Sequence, residues 1–214
     1  MRYLKMLGLV AVAAMALTAM LGVGSASATT KLCKTTTNPC TEPYGTGTVI
    51  EASSTKALLT NSISNISCTG SAIKGKTTSA GGGAGTETTV LGTIELLNFT
   101  GCSTASGTKC NDPTVLNLPY FAELHTTTEG KVNDNGLMTV TSSGKGNPGA
   151  TVVCGFLINC TFTTSQANIH ISGGTSPIAH AEGIALERSG GFCPSFSFWD
   201  ATYNITTPKP LYVI

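Results

Sequence analysis

The sequence predicts an all-β protein, an antiparallel β-sandwich or barrel with short hairpins that is stapled by disulfide bonds. Threonine supplies 34 of the 186 residues from Thr29 onward, and its β-branched side chain suits a pleated strand. No segment of this part repeats apolar residues at helical spacing. Eight cysteines follow an N-terminus of exported type, a combination that is typical of disulfide-bonded proteins.

Residues 1–28 are predicted to be a signal peptide. A short basic head precedes an apolar run over residues 6–24, and Ala26-Ser27-Ala28 fits a cleavage site. The run is just long enough to anchor the chain in a membrane, but it is rich in Ala and Gly and has no charged flank. We therefore expect a secreted protein that begins at Thr29 and has no membrane span after cleavage.

Alternating apolar and polar residues, bounded by Gly, Pro or Asn, predict about a dozen strands. Pro119 predicts an interruption or an edge position within its run, and the Asn135-Gly136 step predicts a hairpin turn. The runs cover residues 48–52, 63–68, 71–78, 88–100, 114–128, 137–141, 151–154, 160–164, 168–171, 178–186, 196–206 and 211–213.

Two glycine-rich stretches, residues 79–85 and 143–149, are predicted to be loops. The second either divides two subdomains or lies within one domain, and we favour one secreted all-β domain over residues 29–214. It also matches the G-x-G-x-x-G pattern of dinucleotide sites. Pro148 opposes the helix that such a site needs, so we expect no cofactor.

The eight cysteines allow many pairings, and the sequence alone does not select one. Proximity along the chain favours Cys33–Cys40, Cys102–Cys110 and Cys154–Cys160, which leaves Cys68–Cys193 as a long-range bridge. There is no C-x-x-C motif, and an oxidising compartment disfavours thiolate zinc sites. We expect four disulfides and no metal site.

The charge balance argues against nucleic acid as a partner. Without Arg2 and Lys5, 10 basic and 11 acidic side chains remain, which gives a net charge of −1. These charges are scattered along the chain, so no basic surface would attract a phosphate backbone. The expected partner is an extracellular ligand, glycan or protein.

Two pairs of residues are weak candidates for catalysis, Glu123 with His125 and His180 with Glu182. Residues two apart on a strand share one face, where a His and a carboxylate can act as an acid and base pair together with His170. The alternative, which we favour, is that these are polar residues on solvated strand faces. The sequence contains no G-x-S-x-G or H-E-x-x-H motif.

Two apolar features have simple structural explanations. Trp199 and Tyr203 lie four apart and face the same side of a strand, which is more often core than a sugar-stacking platform. Residues 155–159 lie between two cysteines and include Phe156, Leu157 and Ile158. If that tip is exposed, it indicates a protein partner.

The segments NPGATVVCG, INCTFTTS and SGGFCPS, with NLPY upstream, resemble small secreted β-rich proteins of high-GC Gram-positive, actinobacterial type. The resemblance covers most of the chain after residue 28. It implies export and a β fold, and it implies no activity and no functional residues.

The sequence therefore predicts a noncatalytic extracellular or envelope-associated β module with a binding, adhesive or structural role. One alternative is a secreted hydrolase that uses His180, Glu182 or Glu123. Another is a small secreted inhibitor or effector that presents the stapled loop at residues 155–159.

Overall fold

A computed structural model describes residues 29–83, 88–127, 135–156, 158–190 and 193–214. Within these ranges the chain forms strands and no helix, which confirms the all-β fold class. The predicted signal peptide, residues 1–28, lies outside them. None of the described residues form a helix that is long and apolar enough to cross a membrane.

The strands follow the predicted runs with three differences. Runs 63–68 and 71–78 belong to one strand, and two short strands, β1 and β3, were not predicted. The strands are β1 (Leu32–Cys33), β2 (Val49–Ser54), β3 (Ala57–Thr60), β4 (Ile66–Thr77), β5 (Val90–Thr104), β6 (Thr114–Leu116), β7 (Tyr120–Thr126), β8 (Asn135–Ser142), β9 (Gly149–Cys154), β10 (Ile158–Thr163), β11 (Gln166–Ser172), β12 (Ile178–Gly190), β13 (Phe196–Thr207) and β14 (Tyr212–Val213).

Eight antiparallel strands close into a barrel in the order β2, β4, β5, β7, β8, β11, β12 and β13, and β13 pairs back to β2. Each of these eight strands pairs with the barrel strand that follows it in sequence, so the topology is an up-and-down meander. The shorter strands extend the barrel at one end: β3 continues β2 between β4 and β13, while β9 pairs with both β10 and β6. We call this end, which contains β3, β6, β9 and β10, the upper end.

The interruptions within the long strands have local causes. Between β2 and β3, the Ser54 hydroxyl accepts a hydrogen bond from Lys56 N and donates one to Lys56 O, so the backbone bonds to a side chain instead of a neighbouring strand. Between β6 and β7, Pro119 lacks the N–H that a sheet ladder requires. The predicted interruption at Pro119 is confirmed, since β6 ends at Leu116 and β7 begins at Tyr120.

Alternation along the strands places apolar side chains inside the barrel. In β11, Ala167, Ile169 and Ile171 are buried, while Asn168 and His170 between them are exposed. This period of two is what a strand imposes on its side chains. The barrel interior is consequently the hydrophobic core of the molecule.

The lower end of the barrel is closed by the two terminal strands. β1 pairs with β14, with Leu32 opposite Val213, and both side chains are buried. Leu211 is also buried there, and the hydroxyl of buried Thr30 accepts a hydrogen bond from Thr126 N at 2.9 Å. The chain ends therefore form a plug that is bonded to the barrel wall.

All eight cysteines form disulfides, as predicted, but three of the four predicted pairs are wrong. The structure has Cys33–Cys40, Cys68–Cys102, Cys110–Cys154 and Cys160–Cys193. Only Cys33–Cys40 matches the prediction. The pairs Cys102–Cys110, Cys154–Cys160 and Cys68–Cys193 do not form.

The register of the strands explains the correct pairs. Cys68 on β4 lies directly opposite Cys102 on β5, and Cys110 lies opposite Cys154, each with a Cα–Cα distance of 3.9 Å. Cys110 N also donates a hydrogen bond to Cys102 O. Cys102 and Cys110 are thus neighbours in the sheet, but each has its sulfur bonded to the strand on its other side.

The hairpin predicted from Asn135-Gly136 is confirmed, because β7 and β8 pair with each other, but the turn does not lie at this step. Gly136 pairs with Thr126 on β7 and with Ile171 on β11, so the step begins strand β8. The connection from β7 to β8 lies mostly within residues 128–134, outside the described residues. An Asn-Gly step favours a turn only when it stands between the paired residues of a hairpin.

Candidate functional site

The histidines proposed from sequence lie on the outer face of the barrel. His125 and His170 both pair with Leu137, and His170 also pairs with His180. The residues next to them on each strand are the buried ones, for example Ile169. The three histidines therefore follow one row across the outside of the sheet and do not converge in a pocket.

The His180–Glu182 pair is open to solvent, whereas Glu123 and His125 are half-buried on the outer face. His180 Nε2 lies 3.8 Å from a carboxylate oxygen of Glu182, and the two side chains are 45% and 78% exposed. Glu123 accepts a hydrogen bond from the Thr89 hydroxyl at 3.0 Å. Among the described residues no group of three or more His, Cys, Asp and Glu is placed to hold a metal ion.

The interior of the upper half of the barrel contains an apolar cavity of about 100 Å³. Ten of the strands contribute to its wall, from β3 to β13. No charged side chain from the described part of the chain lines it. Representative lining residues are Leu59, Ile73, Leu97, Val152, Ile169 and Leu186. We call this space the first cavity.

Trp199 is the main polar feature of the first cavity. It lies on β13 on the inward-facing side, and its ring makes edge-to-face contacts with Phe99 and Tyr203, at centroid distances of 6.2 and 6.3 Å. Its Nε1–H is buried and has no hydrogen-bond acceptor within the described residues. A buried donor without an acceptor costs free energy, so this atom requires a physical explanation.

A hydrogen-bonded chain fixes the aromatic cluster from below. The Tyr203 hydroxyl lies 2.7 Å from Ser71 Oγ, and Ser71 in turn donates to Asn98 O at 2.7 Å. Since the Ser71 proton is used in that second bond, Tyr203 donates to Ser71. Burial raises the pKa of Tyr203 to about 12, so the phenol stays neutral and Tyr203 holds the Trp199 ring in place.

A second cavity of about 100 Å³ occupies the lower half of the barrel. Leu32 and Leu211 from the terminal segments close it below, and Leu124 and Ile171 contribute to its walls. Ile73 and Ile94 line both cavities. These two isoleucines therefore form the partition between two spaces that follow one another along the barrel axis.

The first cavity borders a stretch of the wall where strand pairing is interrupted. β5 pairs with β7 up to the Ile94–Tyr120 pair, and backbone contact with the following segment resumes only at Cys102, whose carbonyl accepts a hydrogen bond from Cys110 N. Leu97 and Phe99 of β5 lie between these points, are half-buried and line the cavity. No backbone ladder seals the cavity from solvent along this part of β5.

Three disulfides constrain the strands at the upper end. Cys68–Cys102 and Cys110–Cys154 bind neighbouring strands, and Cys160–Cys193 ties β10 to the connection between β12 and β13. Phe156, at the turn between β9 and β10, is 94% exposed. Leu157, which was predicted to share this tip, lies outside the described residues.

No protein-family model, curated protein or solved structure matches this chain. The prediction that Trp199 and Tyr203 face the same side of a strand is confirmed, and that side is the interior. Alternating apolar and polar residues predicted the strands that contain Ile73 and Ile169, but no sequence signal indicated that the barrel interior leaves space between these side chains.

Proposed function

We propose that this protein is a noncatalytic extracellular binding protein that holds a small apolar ligand inside its barrel. The observation that carries the proposal is the first cavity, an apolar space lined by ten strands and by Trp199, whose buried N–H lacks an acceptor within the described residues. Barrels of eight strands are just wide enough to be filled by side chains or to hold one small ligand.

The size of the cavity supports a ligand site over a packing defect. Protein interiors are close-packed, and their few voids are rarely larger than a water molecule. A void of about 100 Å³ costs about 2 kcal/mol at 24 cal/mol per Å³. An engineered apolar cavity of about 150 Å³ stays dry and binds benzene. A small apolar ligand recovers the lost contacts in the same way.

The extracellular part of the proposal rests on chemistry and on the N-terminus. Four disulfides are typical of an oxidising environment, and residues 1–28 have the pattern of a cleaved signal peptide. The resemblance to secreted actinobacterial proteins also supports export. Mass spectrometry of culture supernatant is expected to find a chain that begins at Thr29. An intact N-terminus in the membrane fraction would contradict export.

Intrinsic fluorescence tests binding directly, because Trp199 is the only tryptophan of the chain. Titration with toluene or hexane is expected to change its emission saturably. Ala167 is buried and lines the first cavity, so Ala167→Leu fills the cavity and abolishes this response. Ala185→Leu is the matched control, since Ala185 is exposed on β12. Unchanged wild-type emission, or an equal response in Ala167→Leu, would refute the proposal.

A second candidate function is supported by Phe156. An aromatic side chain that is 94% exposed at a turn, beside Cys154 with its bond to Cys110, is the kind of anchor found in protein interfaces. It fits an inhibitor or effector that presents a stapled loop. A photo-crosslinking amino acid at position 156 is expected to capture a discrete partner in the native culture, whereas no adduct would leave this candidate without support.

A further inference from the structure

Resting on the proposed function, we propose that the ligand is an unbranched aliphatic molecule of about eight carbons that carries one neutral hydrogen-bond acceptor. The acceptor, a ketone, ester or hydroxyl oxygen, binds Trp199 Nε1–H once the indole, which lines the first cavity but whose nitrogen is sealed from solvent, turns toward the ligand. The chain extends past Ile73 and Ile94 into the second cavity.

The charge of the lining determines the kind of acceptor. Trp199 offers one neutral donor, and no Lys, Arg or His of the described residues lines the first cavity. A carboxylate buried there would lose its hydration without gaining a cationic partner, which is far more costly than burying a neutral oxygen. Lys76 borders the second cavity, but its side chain is half exposed and its Nζ pairs with Glu95 at 2.6 Å, so it is not a free cation for a buried carboxylate. The site therefore selects a ketone, ester or alcohol over a fatty acid.

The arrangement of the two cavities determines the shape of the ligand. Each has a volume of about 100 Å³, and both have Ile73 and Ile94 in their walls, so a ligand that fills both must be narrow where it passes these residues. Scaling from benzene in about 150 Å³ gives about four carbons for each cavity, or about eight for both. A single methylene chain meets both requirements, whereas a fused ring system does not pass the partition.

Methyl NMR titration of the mature chain tests the length of the ligand. With a series of 2-alkanones from butanone to dodecanone, affinity is expected to rise about fourfold per methylene, which is the value of about 0.8 kcal/mol for each one buried, up to about eight carbons. Ile171 is buried and lines the second cavity, so Ile171→Phe is expected to fill that cavity. In this variant the affinity is expected to stop increasing at a ligand length of about four carbons. If the affinity of the wild-type protein already stops increasing at four carbons, the inference is overturned.

The variant Trp199→Phe tests the acceptor, because it keeps an aromatic ring and removes the donor. Affinity for 2-hexanone is expected to fall about tenfold, which is the usual effect of one hydrogen bond to a buried partner, while affinity for hexane is unchanged. Phe198→Leu on the exposed face of the same strand is the control and leaves both affinities unchanged. The spectrum of each variant also reports whether it has folded.

The charge prediction is tested with octanoate at pH 8, which is expected to bind at least tenfold more weakly than 2-octanone. The inference is overturned if octanoate binds as tightly as 2-octanone. It is also overturned if Trp199→Phe lowers the affinities for hexane and 2-hexanone equally. Both outcomes leave the proposed function intact. If neither hexane nor any 2-alkanone shifts the methyl resonances, the proposed function itself fails.

Discussion

Trp199 and Phe99 meet edge to face inside the barrel, with their ring centroids 6.2 Å apart and their planes at 81°. Such pairs contribute about 0.5–1.5 kcal/mol beyond the area that they bury. Tyr203 contacts the same indole from two inward positions further along β13, beyond Ala201. The cluster joins β5 to β13 across the interior, and both Trp199 and Phe99 line the first cavity.

The aromatic cluster leads to a stability prediction for Trp199. Trp199→Ala is expected to lower the free energy of unfolding by about 3–5 kcal/mol, because it removes a large inward side chain and enlarges a cavity. Trp199→Phe is expected to cost less than half as much, since it retains ring contacts and removes an unpaired donor. Urea denaturation measures both values, and equal losses would contradict the account of the indole nitrogen.

Removing the disulfides one at a time is expected to destabilise the fold by different amounts. The chain-entropy model gives about 4 kcal/mol for Cys68–Cys102, whose sequence separation is 34, and about 2 kcal/mol for Cys33–Cys40, whose separation is 7. Paired Cys→Ala variants and urea denaturation provide the comparison. Peptide mapping of the unreduced protein checks the pairs themselves, and a Cys102–Cys110 fragment would show that the pairing is different.

Tyr203 is expected to make stability depend on pH above 10. Its pKa is raised to about 12 in the folded protein, above the value of about 10 for an exposed tyrosine. Its contribution is therefore complete below pH 10 and is lost as the pH rises from 10 to 12. Tyr203→Phe is expected to cost about 1 kcal/mol at pH 8 and to show a shallower alkaline decline. An identical decline in the variant would contradict this assignment.

The outward His and Glu pair is expected to be dispensable. Because His180 and Glu182 are exposed, the double change His180→Thr and Glu182→Thr is expected to alter stability by no more than about 0.5 kcal/mol. It is also expected to leave the Trp199 fluorescence response intact. A panel of hydrolase substrates, assayed on both proteins with and without a chelator, provides the check. Turnover that disappears in the variant would show that the pair is catalytic.

The strands were predictable because their cause is local. In β11, apolar and polar residues alternate along the segment itself, and Pro119 acts on its own backbone. The turn at Asn135-Gly136 failed because a turn preference was overridden by pairing with Thr126 and Ile171. Short strands such as β1 form only because a distant segment, β14, lies beside them.

The disulfides and the cavities depend on relations that a single sequence does not contain. Cys68 bonds to Cys102 because the register of β4 and β5 places them opposite each other, whereas distance along the chain favoured closer cysteines. The cavities depend on how eight strands close and on how far Ile73 and Ile94 extend into the interior. The inward side of Trp199 was predictable, but its missing acceptor was not.

The most direct test of the account is to observe where a ligand lies in the protein. In a complex of residues 29–214 with 2-octanone, intermolecular NOEs are expected from the ligand chain to the methyl groups of Ile73, Ile94 and Ile169, which line the cavities. The exposed methyl groups of Val49 and Leu96 are expected to show none. NOEs to Val49 or Leu96 without any to the interior isoleucines would contradict the claim that the barrel encloses a ligand.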